Sequence, residues 1–567
     1  MKNIFNKKNS WNFIRFSPIY LVIFSIQAPL SQLEIFGAFY DRYSIVPAIP
    51  IFLTVCLLVF AVFRLMLGNT QLAGLAALTV LMLLFPMVTI GVPVYPFVAA
   101  AGLGSLAFRI WKRKEKTVWE ATQMPTNFTY IANVAAIAMV FAVSAHSIYS
   151  DYQVRNEADD LTAQVSTDLT SSSTVPRPLP NIVHIVLDGY SRADVLRTVY
   201  GFDNGAFLDA LRQRGFRIAS KATTPYNQTL LVMGSVFSLG AVNESVGTQI
   251  DDHEMSTVRQ ILAQVQRQGI TTKILGNLGY VLESTPSTFL PLQWDKILGP
   301  NGDPAILNHF RLPETYIFSY DLLQSSPVLG HLVEYLFGDY FGIVGVNYNN
   351  LKDVPERRFQ HPGKRPLFVY EHILAPHPPF NITADGRPRS LAGFPLSLKD
   401  GSHLINGSDA NRDRYRAGYL EKLQYINGAI LEQIDRIKKT LPGPLIIILH
   451  GDHGGGLHFD QDEEAKTCVH ERFSPLLAVY ATDPAVLSEF TDDFNLVNIY
   501  RAIFRALLKT DIPNLPDRST FISWDLDKLS AVDPADLGIP CSASDRTSTA
   551  PRPSSSSARP PAASIAR

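Results

Sequence analysis

The sequence predicts an α/β domain on a layered sheet, joined to an N-terminal bundle of about five transmembrane helices. Three observations carry that reading. Residues 444–456 read PLIIILHGDHGGG, an apolar run that stops abruptly at His450. Residues 181–190 read NIVHIVLDGY, a second run that stops at Asp188-Gly189. The first 150 residues are strongly apolar, although hydrophobic residues make up an ordinary 46% of the 567-residue chain.

Residues 1–15 are polar and basic, with Lys2, Lys7, Lys8 and Arg15. No small-residue cleavage site follows and further apolar spans do, which argues against a removed signal peptide. Spans near 16–38, 44–66, 70–90, 92–110 and 129–149 are each about long enough to cross a hydrocarbon core of roughly 30 Å. Pro18, Pro29 and Glu34 interrupt the first. The loop after the fourth span carries Arg109, Lys112, Arg113, Lys114 and Lys116, whereas GVPVYP between the third and fourth has no basic residue. Basic segments stay cytoplasmic. Five crossings from an inside start then put everything after residue 150 outside. The reading is therefore 1–150 transmembrane, 151–180 a polar Ser, Thr, Asp and Pro linker, 181–540 an extracytoplasmic domain, and 541–567 a tail without core-forming content.

Within 181–540, strands alternate with helices. Residues 182–187, 367–373, 445–449 and 475–480 are short apolar runs suited to strands, and 270–275 is another short apolar run. Helices are expected from Ser191, over 207–214 with Gly215 as stop, over 414–439 and over 496–508. Residues 305–350 are rich in aromatic and aliphatic side chains; they read as a buried insertion or as a surface resting on the membrane. A net charge of −1 gives no reason to expect a nucleic-acid partner. Of three cysteines, Cys56 lies in an apolar span, and Cys468 and Cys541 pair if their side is oxidising. No zinc-type cysteine cluster exists.

Ligands sit beyond the carboxyl ends of strands in open α/β sheets. Asp188 follows one such strand, and Asp452 and His453 follow another. Two carboxylates and an imidazole converging there make a cage for a divalent cation. The plainer alternative for Asp452 is a turn or helix cap. The stretch ATTPYNQTLLVMGSVFS offers Thr223, Thr224 and Thr229 as nucleophiles. Thr229 opens an apolar helix-like run whose first N–H groups suit an anion; its alternative is a simple N-cap. Pro225 biases Thr224 away from a helix start. His372 and His377 follow the 367–373 strand and suit phosphate or sulfate oxygens. His458 and His470 follow the Asp-His pair and suit protonation of a leaving group. His450 fits either role.

The order strand–Asp-Gly, Thr at a helix start, H-x3-PHPPF and strand–GDHGG resembles the alkaline phosphatase/sulfatase superfamily over about residues 180–520. With five membrane spans in front, the chain resembles its membrane-anchored sulfatase-like branch, the lipoteichoic acid synthases and phosphoethanolamine transferases. The resemblance implies an alkaline phosphatase/sulfatase-like α/β sandwich at the bacterial inner (plasma) membrane, multi-pass, with a periplasmic catalytic domain. It implies a divalent metal ion (Zn, Mn, Mg or Ca) held by Asp188, Thr229, Asp452 and His453. Thr229 would be the nucleophile and His377 a contact to the substrate anion. The implied reaction moves or hydrolyses a phospho-headgroup of an envelope lipid or glycan. Two departures stand out. Asp188 occupies the place where those transferases have glutamate. Only Asp353-Val-Pro-Glu-Arg357 and Asn514-Leu-Pro-Asp-Arg518 approach the sulfatase pattern C/S-x-P-x-R, and neither begins with Cys or Ser. The rival readings are a sulfuric ester hydrolase and a non-catalytic module that binds an envelope anion or glycan.

Overall fold

A computed structural model describes residues 18–26, 45–84, 178–245, 269–284, 365–380, 382–387, 400–441, 443–525, 528–539 and 541, with scattered positions in 129–158 and 258–265. The 305–350 segment, the 92–110 span and the chain beyond 541 lie outside them.

Near the N-terminus stand α1 (Ile45–Leu67) and α2 (Thr70–Leu84). Phe52, Cys56, Leu75, Leu78 and Leu81 pack between them with Tyr20, Leu21 and Phe24. Counted over the described residues, no helix is long and apolar enough to cross a membrane. Within the stretch read as a linker, helical positions in 152–158 bury Val154 and Ala158 in the domain core. Their spacing of four puts both on one helix face.

The domain's strands are β1 (Asn181–Leu187), β2 (Arg217–Ile218), β3 (Val281–Ser284), β4 (Leu367–Ile373), β5 (Leu445–His450), β6 (Leu477–Ala481), β7 (Thr520–Ile522) and β8 (Leu529–Ala531). Its main helices are α3 (Ala193–Thr198), α4 (Gly205–Gln213), α5 (Thr229–Phe237), α6 (Ile270–Asn277), α7 (Gly401–Ile405), α8 (Asp409–Thr440), α9 (Val469–Arg472) and α10 (Ile499–Leu508). One six-stranded sheet runs β2-β6-β5-β1-β4-β3. β1 pairs in parallel with β4 and β5, and β3 with β4. β6 runs antiparallel to β5, and β2 to β6. The chain between β5 and β6 contains only short helices, so it returns along the same edge, whereas a parallel partner needs a full crossover.

The three central strands are buried on both faces, which is why they read as unbroken apolar runs. Alternate residues serve opposite layers. Val183, Ile185, Leu187, Ile447 and Leu449 face α8, whose Tyr415, Tyr419, Leu423, Ile426, Ile430, Ile434 and Ile437 form one buried stripe. Ile182, Val186, Phe368, Ile446 and Ile448 face Val232, Val236, Ile274, Ile503 and Phe504 on α5, α6 and α10. Ile270–Asn277 is a helix, not a strand. Its buried positions Ile270, Thr271, Ile274 and Leu275 follow a helical repeat, which a short apolar run does not reveal by composition. Ile447, enclosed on the central strand, reports on this core. Ile447→Ala should cost about 2–5 kcal/mol, read as a lower thermal unfolding midpoint of the solubilised protein.

Candidate metal centre

The strand register builds the centre. β1 and β5 run in parallel with Val186 opposite His450, so two residues further on Asp188 and Asp452 leave the same sheet edge together. Gly189 then turns the chain at φ +73°, a conformation that favours glycine. Its N–H donates to Asp452 Oδ1 at 3.0 Å. The Thr224 hydroxyl donates to the Asp452 carbonyl at 2.7 Å. At Gly454 any Cβ would collide with the carbonyl oxygen of Glu471, so the glycine run lets the loop lie flat on α9.

Asp188, Asp452 and His453 are almost wholly enclosed, and one ligand atom of each lies within 4.8 Å of the others. Asp188 Oδ2 accepts from His372 Nε2 at 3.2 Å. Asp188 Oδ1 and Asp452 Oδ2 have no hydrogen-bond partner among the described residues. His453 Nδ1 donates to the Gly454 carbonyl at 2.9 Å, which leaves Nε2 with a lone pair. That Nε2 stands 3.3 Å from Asp452 Oδ2 and 3.7 Å from Asp188 Oδ1. Burial, then the charge of Arg472, holds the His453 ring below its ordinary pKa, so it stays neutral. Burial alone would raise the Asp188 carboxyl. His377, His372 and His453 outweigh it and hold Asp188 well below the usual carboxylate range. Three acceptor atoms thus face one another, two of them carboxylate oxygens without a hydrogen-bond partner among the described residues. A divalent cation fits: bonds of about 2.0–2.2 Å to oxygen and nitrogen are compatible with these separations.

Thr229 is the first residue of α5, and its Oγ1 lies 3.3 Å from His453 Nε2. Gln228 gives that helix no side-chain cap; its amide donates to the Ile522 and Ser523 carbonyls instead. The other threonines are committed elsewhere, Thr224 to the Asp452 carbonyl and Thr223 to Asp517 Oδ1 at 2.7 Å.

Four histidines divide between two places. His372 touches Asp188, and its Nδ1 meets Tyr370 Oη at 3.1 Å. His377 lies with its ring centre 6.3 Å from that of His453. Its N–H donates to the Asp188 carbonyl at 3.0 Å and its Nδ1 to the Pro378 carbonyl. His458 and His470 are placed differently. Arg412 Nη1 lies 3.1 Å from His458 Nδ1, and His470 donates to the Leu537 carbonyl at 2.6 Å and faces Asp194.

Sequence reasoning missed four groups. Arg472 Nη1 meets Asp400 Oδ2 at 2.6 Å, and its Nη2 meets His453 Nε2 at 3.1 Å. Asp400 also accepts from Tyr415 Oη and lies 4.0 Å from His377. Lys422 spends its three N–H groups on the carbonyls of Leu374, His377 and Pro379, and so holds the His377 loop. His184, in the middle of β1, joins Tyr500 and His450 at 2.6 and 2.7 Å. Only His184 carried a signal, a polar residue inside an apolar strand. Cys468 and Cys541 form a disulfide, with Cα atoms 5.8 Å apart. Glu471 beside them accepts from Tyr200 Oη and from the Leu457 and His458 N–H groups.

No family model matches the chain, and neither does any curated protein. Solved structures do. The C-terminal periplasmic domain of EcEptC from Escherichia coli is similar at 10% identity and a TM-score of 0.38, over 65% of this chain and 95% of that one. The integral membrane lipooligosaccharide phosphoethanolamine transferase A (EptA) from Neisseria meningitidis is similar at 12% identity and a TM-score of 0.34, over 87% of this chain and 95% of that one. The phosphonate monoester hydrolase of Agrobacterium radiobacter is similar at 12% and 0.35, over 60% and 80%. These proteins fall in the group that the motifs resemble. At such identities and scores they are likenesses only, and what the site can do follows from its own atoms.

Burial holds His184 and His450 below the ordinary 6.5 as well, His450 at about 4. As pH falls through 6.5, the unfolded chain takes up protons that these rings and His453 refuse in the fold. Stability is therefore full above that value and is lost as pH drops, with the share of His450 exhausted near 4. The Asp188 carboxyl stays out of this window, since its unfolded pKa is 3.8. The thermal unfolding midpoint of metal-free protein should fall steadily across it, and a flat profile would mean that the rings are charged in the fold.

Proposed function

We propose that the chain is a membrane-anchored, metal-dependent enzyme that transfers or hydrolyses a phospho-headgroup on an envelope lipid or glycan through a phospho-Thr229 intermediate. The observation that carries the reading is the convergence of the Thr229 hydroxyl with Asp188, Asp452 and His453 at one sheet edge. Asp188, Asp452 and His453, with Thr229, would hold the divalent ion. When bound, that ion supplies Lewis-acid stabilisation and a lowered hydroxyl pKa. Thr229 Oγ1 attacks phosphorus; its bond to phosphorus forms as the ester bond to the departing alcohol breaks, and the threonine proton ends on that alcohol by way of water. Water or an acceptor alcohol then repeats the displacement and returns the proton to Thr229. His377 would meet the bound anion; its ring centre lies 6.3 Å from that of His453, and Lys422 steadies its loop. α1 leaves Leu57, Leu58, Val62, Leu65 and Met66 exposed, an apolar face suited to lipid or to neighbouring helices. With the basic loops, it supports a multi-pass inner-membrane anchor and a periplasmic domain.

Thr229→Ala should lower turnover of a phosphodiester at least about 10³-fold, while Thr223→Ala and Thr224→Ala lose far less. Mass spectrometry after incubation with a labelled phospholipid should place a phosphoryl adduct on the Thr229 peptide. Full turnover by Thr229→Ala with no adduct anywhere would sink the covalent route.

Asp452→Asn should strip the divalent ion with the fold kept, as read by elemental analysis and circular dichroism. A wild-type protein that holds no metal and works fully in chelator would remove the reading altogether.

A further inference from the structure

Arg472 is almost wholly buried, at 3% exposure, and most of its donors are spoken for. Nε donates to the Asn227 carbonyl at 3.0 Å, and Nη1 to Asp400 Oδ2 at 2.6 Å and the Gly454 carbonyl at 3.2 Å. The Phe459 ring lies against the guanidinium, 4.0 Å from ring centre to Cζ. These contacts fix the plane of the group and leave Nη2 aimed into the centre. There it meets His453 Nε2, at 3.1 Å. That lone pair is the one a divalent ion would take. With the ion in place, Nη2 loses its acceptor and faces whatever else the ion holds.

We propose that Arg472 is a substrate-binding residue of this centre and donates from Nη2 to a non-bridging oxygen of a bound tetrahedral oxyanion of the phosphate class. The inference rests on the metal-centre reading above and goes beyond it. A divalent ion would offset the charges of Asp188 and Asp452, and Arg472 offsets Asp400, which lowers the electrostatic cost of bringing in an anion. Asp400 is already satisfied by Nη1 and by Tyr415 Oη at 2.6 Å, so the ion pair makes no use of Nη2. A planar guanidinium suits phosphate oxygens better than a point charge does. Because Asp400, the Asn227 and Gly454 carbonyls and the Phe459 ring lock its plane, little rotamer freedom is lost when the anion arrives.

The test uses the full-length chain in detergent, loaded with zinc or manganese, and inorganic phosphate as probe. Metal affinity and phosphate affinity are both measured by calorimetry. Two variants are compared: Arg472→Lys, and the double variant Arg472→Met with Asp400→Leu, which removes the buried pair together and so avoids stranding a charge. Phosphate affinity should fall about 10- to 100-fold in the double variant and several-fold in Arg472→Lys. Metal affinity should stay level or tighten, because a cation near the ion is gone or shifted. Merely structural damage would lower both affinities in parallel, and that result overturns the inference. So does unchanged phosphate affinity in both variants. A wild type that binds metal but no phosphate overturns this inference and leaves the metal centre standing. A wild type that binds no metal overturns both.

Discussion

Three acceptor atoms pressed together away from water impose the central constraint on this domain. Buried ionised carboxylates are expensive unless paired. Asp188 Oδ1 and Asp452 Oδ2 face His453 Nε2 with no donor of their own among the described residues, and Arg472 Nη2 is the donor directed at that ring nitrogen. Everything around them resists their separation. Parallel pairing of β1 and β5 fixes where the two strands end. The Gly189 N–H and the Thr224 hydroxyl grip Asp452 from two sides, and the Gly454 carbonyl fixes which ring nitrogen of His453 keeps its lone pair. The repulsion is held in by a core of several buried layers, and a divalent cation would relieve it.

The same logic explains the second ring of groups. Arg472 is the cation that reaches His453, and its other nitrogens are held by the Asn227 and Gly454 carbonyls and by Asp400, which Tyr415 holds in turn. Tyr415 sits on α8, whose other turns cover the sheet and whose Lys422 holds the His377 loop. One long helix therefore serves the core with its apolar stripe and the site with two polar side chains from the same stripe. Loosening α8 would cost packing and site geometry together.

How much of this was legible in the sequence depends on the distance over which a residue acts. Asp188, Asp452 and His453 could be read because they lie just beyond the ends of two unbroken apolar runs, and the sheet rule says where such ends lie. Thr229 could be read because a helix start shows in its own neighbourhood. Arg472 and Asp400 could not be. Each lies in a short polar stretch, and their pairing spans chain segments that meet only once the sheet is formed. His458 and His470 followed the Asp-His pair in sequence, but the chain turns after Gly456 and sends them to Arg412 and to the Leu537 carbonyl. The 270–275 run shows the converse limit: it read as a short apolar run, and its helical form shows only in which positions the fold buries.

The disulfide ties these scales together. α9 is a single short turn, too brief to hold its place by its own backbone. It nonetheless carries Glu471, which receives the Leu457 and His458 N–H groups, and Arg472, which enters the centre. Cys468 caps that turn, its sulfur accepting from the Glu471 N–H, and is bonded to Cys541 at the end of the described chain. Phe459, Val469, Phe473, Phe521 and Val532 pack in the same corner, with Leu537 against them. The final described segment therefore works as a brace on the turn that presents Arg472, and the polar composition beyond it gave no hint of that role. The bond also couples site geometry to compartment: in an oxidising space the brace is covalent, and it is there that a periplasmic domain would fold.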